Sequence, residues 1–173
     1  MNDNQPKIGK FSWTYGLLLG VASVIFGFML YTMEMHYEQG WAVRIVGIVL
    51  MVAAVVLAVM QYKKANSGFL KIVDAVKLGA GIGVVSAIIS LIWYALLTNV
   101  IEPDFMDKAM ELAKVQAMAQ NPQMTDEQWQ QGVEIQKSFA WLAYPIGIVV
   151  NVIFGLIIGA IVGAIMKNTD PNN

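Results

Sequence analysis

The chain has no cysteine and only one histidine among its 173 residues. Without a thiol, neither a disulfide framework nor a cysteine-based nucleophile or metal site can form, and one imidazole supports little histidine chemistry. Charged residues are scarce as well, at 13% of the sequence, and only 11 of them are basic. Because nucleic-acid binding relies on clustered Lys and Arg, we expect no nucleic-acid partner. We also expect no catalytic residues, no metal site and no cofactor.

Four long stretches carry no charged residue at all: 11–33, 45–62, 78–101 and 138–166. Each can cross a hydrocarbon layer of roughly 30 Å, because an α-helix rises about 1.5 Å per residue. The sequence therefore predicts an all-α fold, a four-helix transmembrane bundle that forms a single integral membrane domain over 1–173. The expected spans are about 13–33, 42–62, 78–100 and 140–166.

The distribution of lysines predicts an orientation. One side of the membrane would hold both termini and the second loop, with the basic residues Lys7, Lys10, Lys63, Lys64, Lys71, Lys77 and Lys167. Those seven lysines face three acids on that side, whereas the other side holds four basic and nine acidic residues. Because short cytoplasmic loops retain Lys and Arg, both termini should be cytoplasmic in a bacterial inner membrane.

The spans contain a weak internal repeat. Small residues of the first span (Gly16, Gly20, Ser23, Gly27) recur 63 positions later in the third (Gly79, Gly83, Ser86, Ser90). Trp41 and Gly47 of the second span likewise recur in the fourth as Trp141 and Gly147, at an offset of 100. These offsets indicate a duplicated two-span hairpin whose second copy acquired an insertion. The alternative is chance recurrence in glycine-rich helices.

The small residues are interpreted as helix-packing positions, because close backbone approach drives helix association in lipid. The fourth span adds Gly155, Gly159 and Gly163 at a spacing of four. A pore-lining face is the alternative. Asn151 is the most polar side chain deep in a span, and we expect its amide to hydrogen-bond Ser86, Ser90 or Ser23 on a neighbouring helix. A substrate-binding amide is the other interpretation of Asn151.

Residues 102–138 are predicted to form an external helical hairpin between spans three and four. Asp104 should cap its first helix, and Thr125 with Gln128 forms a capping-box pattern at the start of its second. Pro145 should kink the fourth span. We expect the apolar faces of the hairpin to pack against each other and the bundle. A docking surface for a partner is the alternative.

Two further segments combine charged residues with apolar ones. Glu34, His36 and Glu38 are too few and too solvated in a short loop to predict a metal site. The amphipathic stretch 67–79 is predicted to lie along the cytoplasmic interface before the chain turns into the membrane.

Several motifs resemble a known family of four-span Gram-negative bacterial membrane proteins, the domain of unknown function 4199. They are Tyr15-Gly16-Leu17-Leu18-Leu19-Gly20, Asp74-Ala75-Val76-Lys77-Leu78-Gly79, Ile101-Glu102-Pro103-Asp104-Phe105, Met124-Thr125-Asp126-Glu127-Gln128 and the glycine-spaced last span ending at Lys167. Lys71-Ile72-Val73 departs from the small or polar lead-in common in that family. The resemblance implies the four-span architecture and no established activity.

These observations favour a non-enzymatic accessory or scaffold subunit of a cytoplasmic-membrane assembly. Its expected surroundings are the lipid bilayer and either a membrane protein partner or further copies of itself. The alternative is a small transporter or lipid-handling protein with a site near Asn151. A membrane enzyme that uses Glu102, Asp104 and Asp107 ranks third.

Overall fold

The structure, a computed structural model, describes residues 6–37 and 40–168. Six α-helices make up most of this part of the chain: α1 (Ile8–Thr32), α2 (Trp41–Ala65), α3 (Ile72–Leu96), α4 (Phe105–Gln120), α5 (Asp126–Ser138) and α6 (Ala143–Met166). A π-helical turn (Leu97–Ile101) continues α3, and a 3-10 turn (Ala140–Leu142) precedes α6.

The predicted four-span, all-α architecture is confirmed. Four helical segments are long and apolar enough to cross a membrane: Ile8–Thr32, Trp41–Ala65, Ile72–Ile101 and Ala140–Met166. The first and third begin five or six residues earlier than expected, because Lys10 and Lys77 lie within the helices. Long lysine side chains can extend toward headgroups from inside a helix, so a charge near its end does not end it.

The predicted interfacial helix over 67–79 is wrong. α3 begins at Ile72, directly after Lys71, and continues without a break past Gly79 into the span. The chain reverses earlier, where Ser67 and Gly68 adopt positive φ angles of 55° and 86°. No residue between Ile72 and Gly79 interrupts helical hydrogen bonding, so the amphipathic stretch forms the first two turns of α3.

α3 is the central helix, and it packs most extensively against α6 and α1. The core lies in the half of the bundle that carries the ends of the described chain, around the fully buried side chains of Val55, Val59, Leu78 and Ile82. At this end Leu70 exchanges backbone hydrogen bonds with Asn168, at 2.8 and 3.1 Å. The Lys63 ammonium donates to the Met166 carbonyl at 2.9 Å. These contacts fix the end of α6 to the loop between α2 and α3.

The opposite half of the bundle is more open. Side chains of α2 from Trp41 to Val49 are exposed, apart from the half-buried Val43. A Cβ atom added at Gly47 or at Gly147 would have no neighbour within 4 Å. α2 therefore packs into the bundle mainly through its second half.

Candidate functional site

The carboxylate of Glu102, which is largely enclosed, joins three separate segments at the open end of the bundle. Its Oε2 atom lies 2.8 Å from Nε2 of His36, in the loop after α1. Its Oε1 atom accepts hydrogen bonds from the Tyr37 hydroxyl and, at 2.9 Å, from the Lys108 ammonium at the start of α4. We call these four residues the Glu102 cluster.

The backbone at the end of α3 explains why Glu102 reaches this position. The chain widens into the π turn, and the Glu102 N–H donates to the Leu97 carbonyl five residues earlier, at 2.8 Å. Pro103 follows, and a proline disfavours helical geometry in the residue before it. Glu102 accordingly leaves the helix, with φ −142° and ψ 79°. π turns are rare and recur at functional positions, where they redirect a side chain.

The His36–Glu102 pair is largely enclosed, whereas the Lys108 side chain is 47% exposed. The side chains of His36 and Glu102 are only 7% and 11% exposed. Hydrogen bonds from Tyr37, Lys108 and His36 lower the Glu102 pKa from 4.5 to about 2, although burial acts in the opposite direction. Burial raises the pKa of Tyr37, and the neighbouring Glu102 carboxylate raises it further. Hydrogen bonds to Asp104 and Glu102 raise the pKa of Lys108.

Aromatic rings enclose the cluster. Phe105, 8% exposed, stacks on His36 with ring centroids 5.7 Å apart and on Tyr37 at 5.4 Å. Tyr31 meets the His36 ring edge-on at 5.1 Å, and Tyr94 meets Phe105 edge-on at 6.2 Å. Such a shell lowers the local dielectric constant and strengthens the charge-assisted hydrogen bonds inside it.

The arrangement can fix three segments in position. The carboxylate acts as a shared acceptor for groups from the loop after α1 and from α4. Among the described residues, no group of three or more His, Asp or Glu side chains is arranged to hold a metal ion. Of the loop residues considered as metal ligands, His36 pairs with Glu102, and Glu38 lies outside the described residues.

The two predicted helix caps of the hairpin have different outcomes. The capping box is confirmed: the Gln128 N–H donates to the Thr125 hydroxyl at 3.2 Å, and the Thr125 N–H donates to the Gln128 side chain at 3.1 Å. Asp104 occupies the N-cap position of α4, as predicted, but its side chain forms no capping hydrogen bond. Its carboxylate instead pairs with Lys108 at 2.9 Å, where a full positive charge competes with the weaker backbone N–H dipoles.

α4 and α5 form a hairpin that extends from the bundle. α4 is connected mainly to the π turn, and α5 mainly to the 3-10 turn. Phe105 is the only buried residue of α4, and α5 has none. Apolar side chains such as Val115 and Ile135 remain 63% and 62% exposed. The expectation that packing would consume these apolar faces is therefore wrong.

A cleft of about 420 Å³ separates the two hairpin helices. Its lining residues are Met110, Glu111, Lys114, Trp129, Gln130, Val133, Glu134 and Lys137. An ion pair between Lys114 and Asp126, at 2.5 Å, connects α4 with the start of α5. We call this space the hairpin cleft.

The predicted helix-packing glycines of α3 and α6 lie against each other. A Cβ atom at Gly79 would collide with the carbonyl oxygen of Gly155, and one at Gly83 would lie 2.6 Å from the Asn151 carbonyl oxygen. At Gly159 it would lie 2.5 Å from the Ala75 carbonyl oxygen, and at Gly163 it would lie 2.8 Å from the Ala75 Cβ.

The glycines of α1 meet side chains of α3. A Cβ atom at Gly16 would lie 2.5 Å from Cβ of Val85, and one at Gly20 would lie 2.8 Å from Cβ of Ile89. At Gly27 the nearest atom would be Nε1 of Trp93, at 2.8 Å. Ser23 and Ser90, from the same predicted stripes, are half-buried.

The predicted hydrogen bond between Asn151 and a neighbouring serine is wrong. The Asn151 amide donates to the Gly147 carbonyl of its own helix at 2.9 Å. Ser86 likewise donates to the Gly83 carbonyl one turn earlier, at 3.2 Å. Short polar side chains in a helix find these carbonyls with little loss of conformational freedom, so the two residues are satisfied without bridging the helices.

Pro145 does not kink the span in its interior. It is the third residue of α6, in the first turn, where a missing N–H breaks no helical hydrogen bond. The irregularity lies just before it, in the 3-10 turn.

The pairing of His36 with Glu102 was not predicted from the sequence. The two residues are 66 positions apart, in a short loop and at a helix end, and no periodic pattern relates them. The nearby aromatic residues Tyr31, Tyr94 and Phe105 were the available signal, because an enclosed polar group needs such a shell.

The fold and this site define a four-span α-helical membrane protein with a helical hairpin between its third and fourth spans. The chain belongs to the family described as "Protein of unknown function (DUF4199)", whose model matches residues 14–168. Comparison with curated proteins and with solved structures gave no match.

Proposed function

We propose that the protein is a non-enzymatic accessory or scaffold subunit of an assembly in a bacterial cytoplasmic membrane. Both termini lie in the cytoplasm, and the hairpin extends on the opposite side. The charge distribution supports this orientation, since seven of the basic residues cluster on the side of the termini and most acids lie on the other.

The exposed apolar surface of the hairpin is the observation that carries the proposal. Apolar side chains on α4 and α5 remain open to the surroundings, while the Glu102 cluster anchors the base of α4. A surface that combines exposed apolar area with a rigid base is typical of a protein-interaction site.

The alternative, a small transporter or lipid-handling protein, has weaker support. Its proposed site is Asn151, whose amide already donates within its own helix. Gly83 packs directly against the Asn151 backbone, one turn from the closest approach of α3 and α6 at Gly79 and Gly155. A substrate there would have to separate two tightly packed helices.

Native mass spectrometry after gentle detergent extraction from the source membrane tests the proposal. The accessory role predicts a second protein bound in fixed stoichiometry. A bare monomer or homo-oligomer with a retained lipid or small molecule would contradict that role and would favour the transporter.

A further inference from the structure

We propose that the hairpin cleft binds a basic amphipathic helix of a partner protein. This inference rests on the proposed accessory role and specifies the chemistry of the partner segment. Helices that bind in grooves present apolar residues at spacings of three and four to an apolar floor, with charged residues at the edges. The hairpin cleft has both parts of a complementary surface.

The floor of the cleft is apolar. Met110 contributes from α4, and Trp129 and Val133 contribute from α5. A volume of about 420 Å³ admits several aliphatic side chains but not a folded domain. Methionine and tryptophan are both common at protein interfaces, because they provide a large and adaptable contact area.

The hairpin that forms the cleft is acidic overall. Segment 102–138 contains seven acidic and three basic residues, a net charge of −4. Two of its lysines are already neutralised, Lys108 by Glu102 and Asp104 and Lys114 by Asp126. The lining itself carries both signs. Among the described residues, Glu111 and Glu134 form no ion pair within 4.0 Å, Lys114 is paired with Asp126, and Lys137 also lines the cleft. Basic residues flanking an apolar stripe would complement the two unpaired carboxylates.

The same charge disfavours the other two candidates for covering the cleft. A second copy would bring one acidic hairpin against another, and like charges at an interface cost free energy. A bilayer would have to desolvate the unpaired carboxylates of Glu111 and Glu134, which costs free energy. A cationic protein segment is the occupant that satisfies both the apolar floor and the net negative charge of the hairpin.

Binding of a synthetic peptide tests the proposal directly. We would place the full-length protein in phosphatidylcholine nanodiscs and titrate it into a fluorescent helix of about 18 residues made of leucine and lysine on opposite faces. Empty nanodiscs give the background, because cationic amphipathic peptides also bind lipid. We expect saturable binding above this background that weakens as the salt concentration rises. A leucine–glutamate peptide of the same pattern should not bind.

Two double variants locate the site. E111K/E134K reverses two charges at the cleft edge and should weaken peptide binding by about tenfold or more. D107K/E127K makes the same change in net charge at acids that do not line the cleft, so it should change binding by less than about threefold. Equal loss in both variants would overturn the cleft as the site, because it would show only a general response to charge.

Two measurements on a single-cysteine variant, Met110→Cys, test whether a second copy or the bilayer covers the cleft instead. The chain has no native cysteine, so the label is specific. If oxidation cross-linked Met110→Cys between copies in the membrane, the occupant would be a second copy. If lipid-borne nitroxide quenched a fluorophore at the same position, the occupant would be the bilayer. Either result, or a failure of the peptide to bind, overturns the inference. Native mass spectrometry tests the accessory role independently of these experiments. A partner in fixed stoichiometry would support that role even if the cleft did not bind the peptide, and the absence of a partner would contradict it.

Discussion

Oε2 of Glu102 lies 2.8 Å from Nε2 of His36, although the two residues are 66 positions apart. The pair joins the loop after α1 to the end of α3, and Lys108 extends the connection into α4. One carboxylate therefore links the first half of the bundle to the base of the hairpin.

Replacing Glu102 should loosen this junction. Glu102→Gln retains the side-chain size but removes the charge that three donors share, so we expect the free energy of unfolding to fall by about 1.5–3 kcal/mol. Thermal unfolding in detergent measures this change, and hydrogen exchange should rise in residues 33–37 and 105–110. Asp107→Asn is the matched control, since Asp107 is exposed and forms no ion pair among the described residues. Equal stability of the two variants would contradict a structural role of the cluster.

The same carboxylate predicts a dependence of stability on pH. Folding lowers the Glu102 pKa from 4.5 to about 2, so the folded protein binds its proton less readily than the unfolded chain does. The resulting stabilisation is fully present above about pH 4.5 and is lost as the pH falls toward about 2. The difference in Tm between the wild type and Glu102→Gln should therefore be constant near neutral pH and should shrink across this window. A difference that did not change with pH would be inconsistent with a buried, ionised Glu102.

The architecture could be predicted from the sequence because the length of an apolar stretch and a helix-capping pattern are local signals. Four charge-free stretches predicted four spans, and Thr125 with Gln128 predicted the start of α5. The site could not be predicted in this way. It depends on a π turn that changes the direction of Glu102, and that turn, Leu97 to Ile101, carries no charged residue and so looks like the end of the third charge-free stretch.

Residues that the repeat aligns with each other can pack in different ways. At the offset of 100, Gly155 and Gly159 of α6 correspond to Val55 and Val59 of α2. Glycines let α6 approach the backbone of α3, whereas the valines are fully buried side chains that keep helix axes further apart. α3 and α6 accordingly pack more extensively than α1 and α2. Duplication of a two-span hairpin stays a prediction.

Gly159 provides a test of close helix packing. Gly159→Leu would force a side chain against the Ala75 carbonyl oxygen, 2.5 Å from the added Cβ, and should destabilise the bundle by about 1–3 kcal/mol or more. Gly147→Leu, on the same helix, is the control, because nothing lies within 4 Å of its added Cβ. Thermal stability and monodispersity in detergent measure the effect of each variant. If Gly147→Leu were the more damaging change, the packing assignment would be wrong.

Asn151 separates the accessory role from the transporter alternative. Asn151→Ala removes a hydrogen bond within one helix, so we expect stability to change by less than about 1 kcal/mol and partner content to stay the same. Unfolding measurements and native mass spectrometry check both expectations. A transported solute, identified by flux in proteoliposomes and lost in Asn151→Ala, would overturn the accessory role.

The most direct test of the account is native mass spectrometry on three forms of the protein from the source membrane: wild type, E111K/E134K and D107K/E127K. We predict that the wild type and D107K/E127K retain a second protein in fixed stoichiometry, and that E111K/E134K loses it while remaining folded. A wild-type protein without any protein partner, or a partner that all three forms retain, would contradict the hairpin cleft as the functional surface.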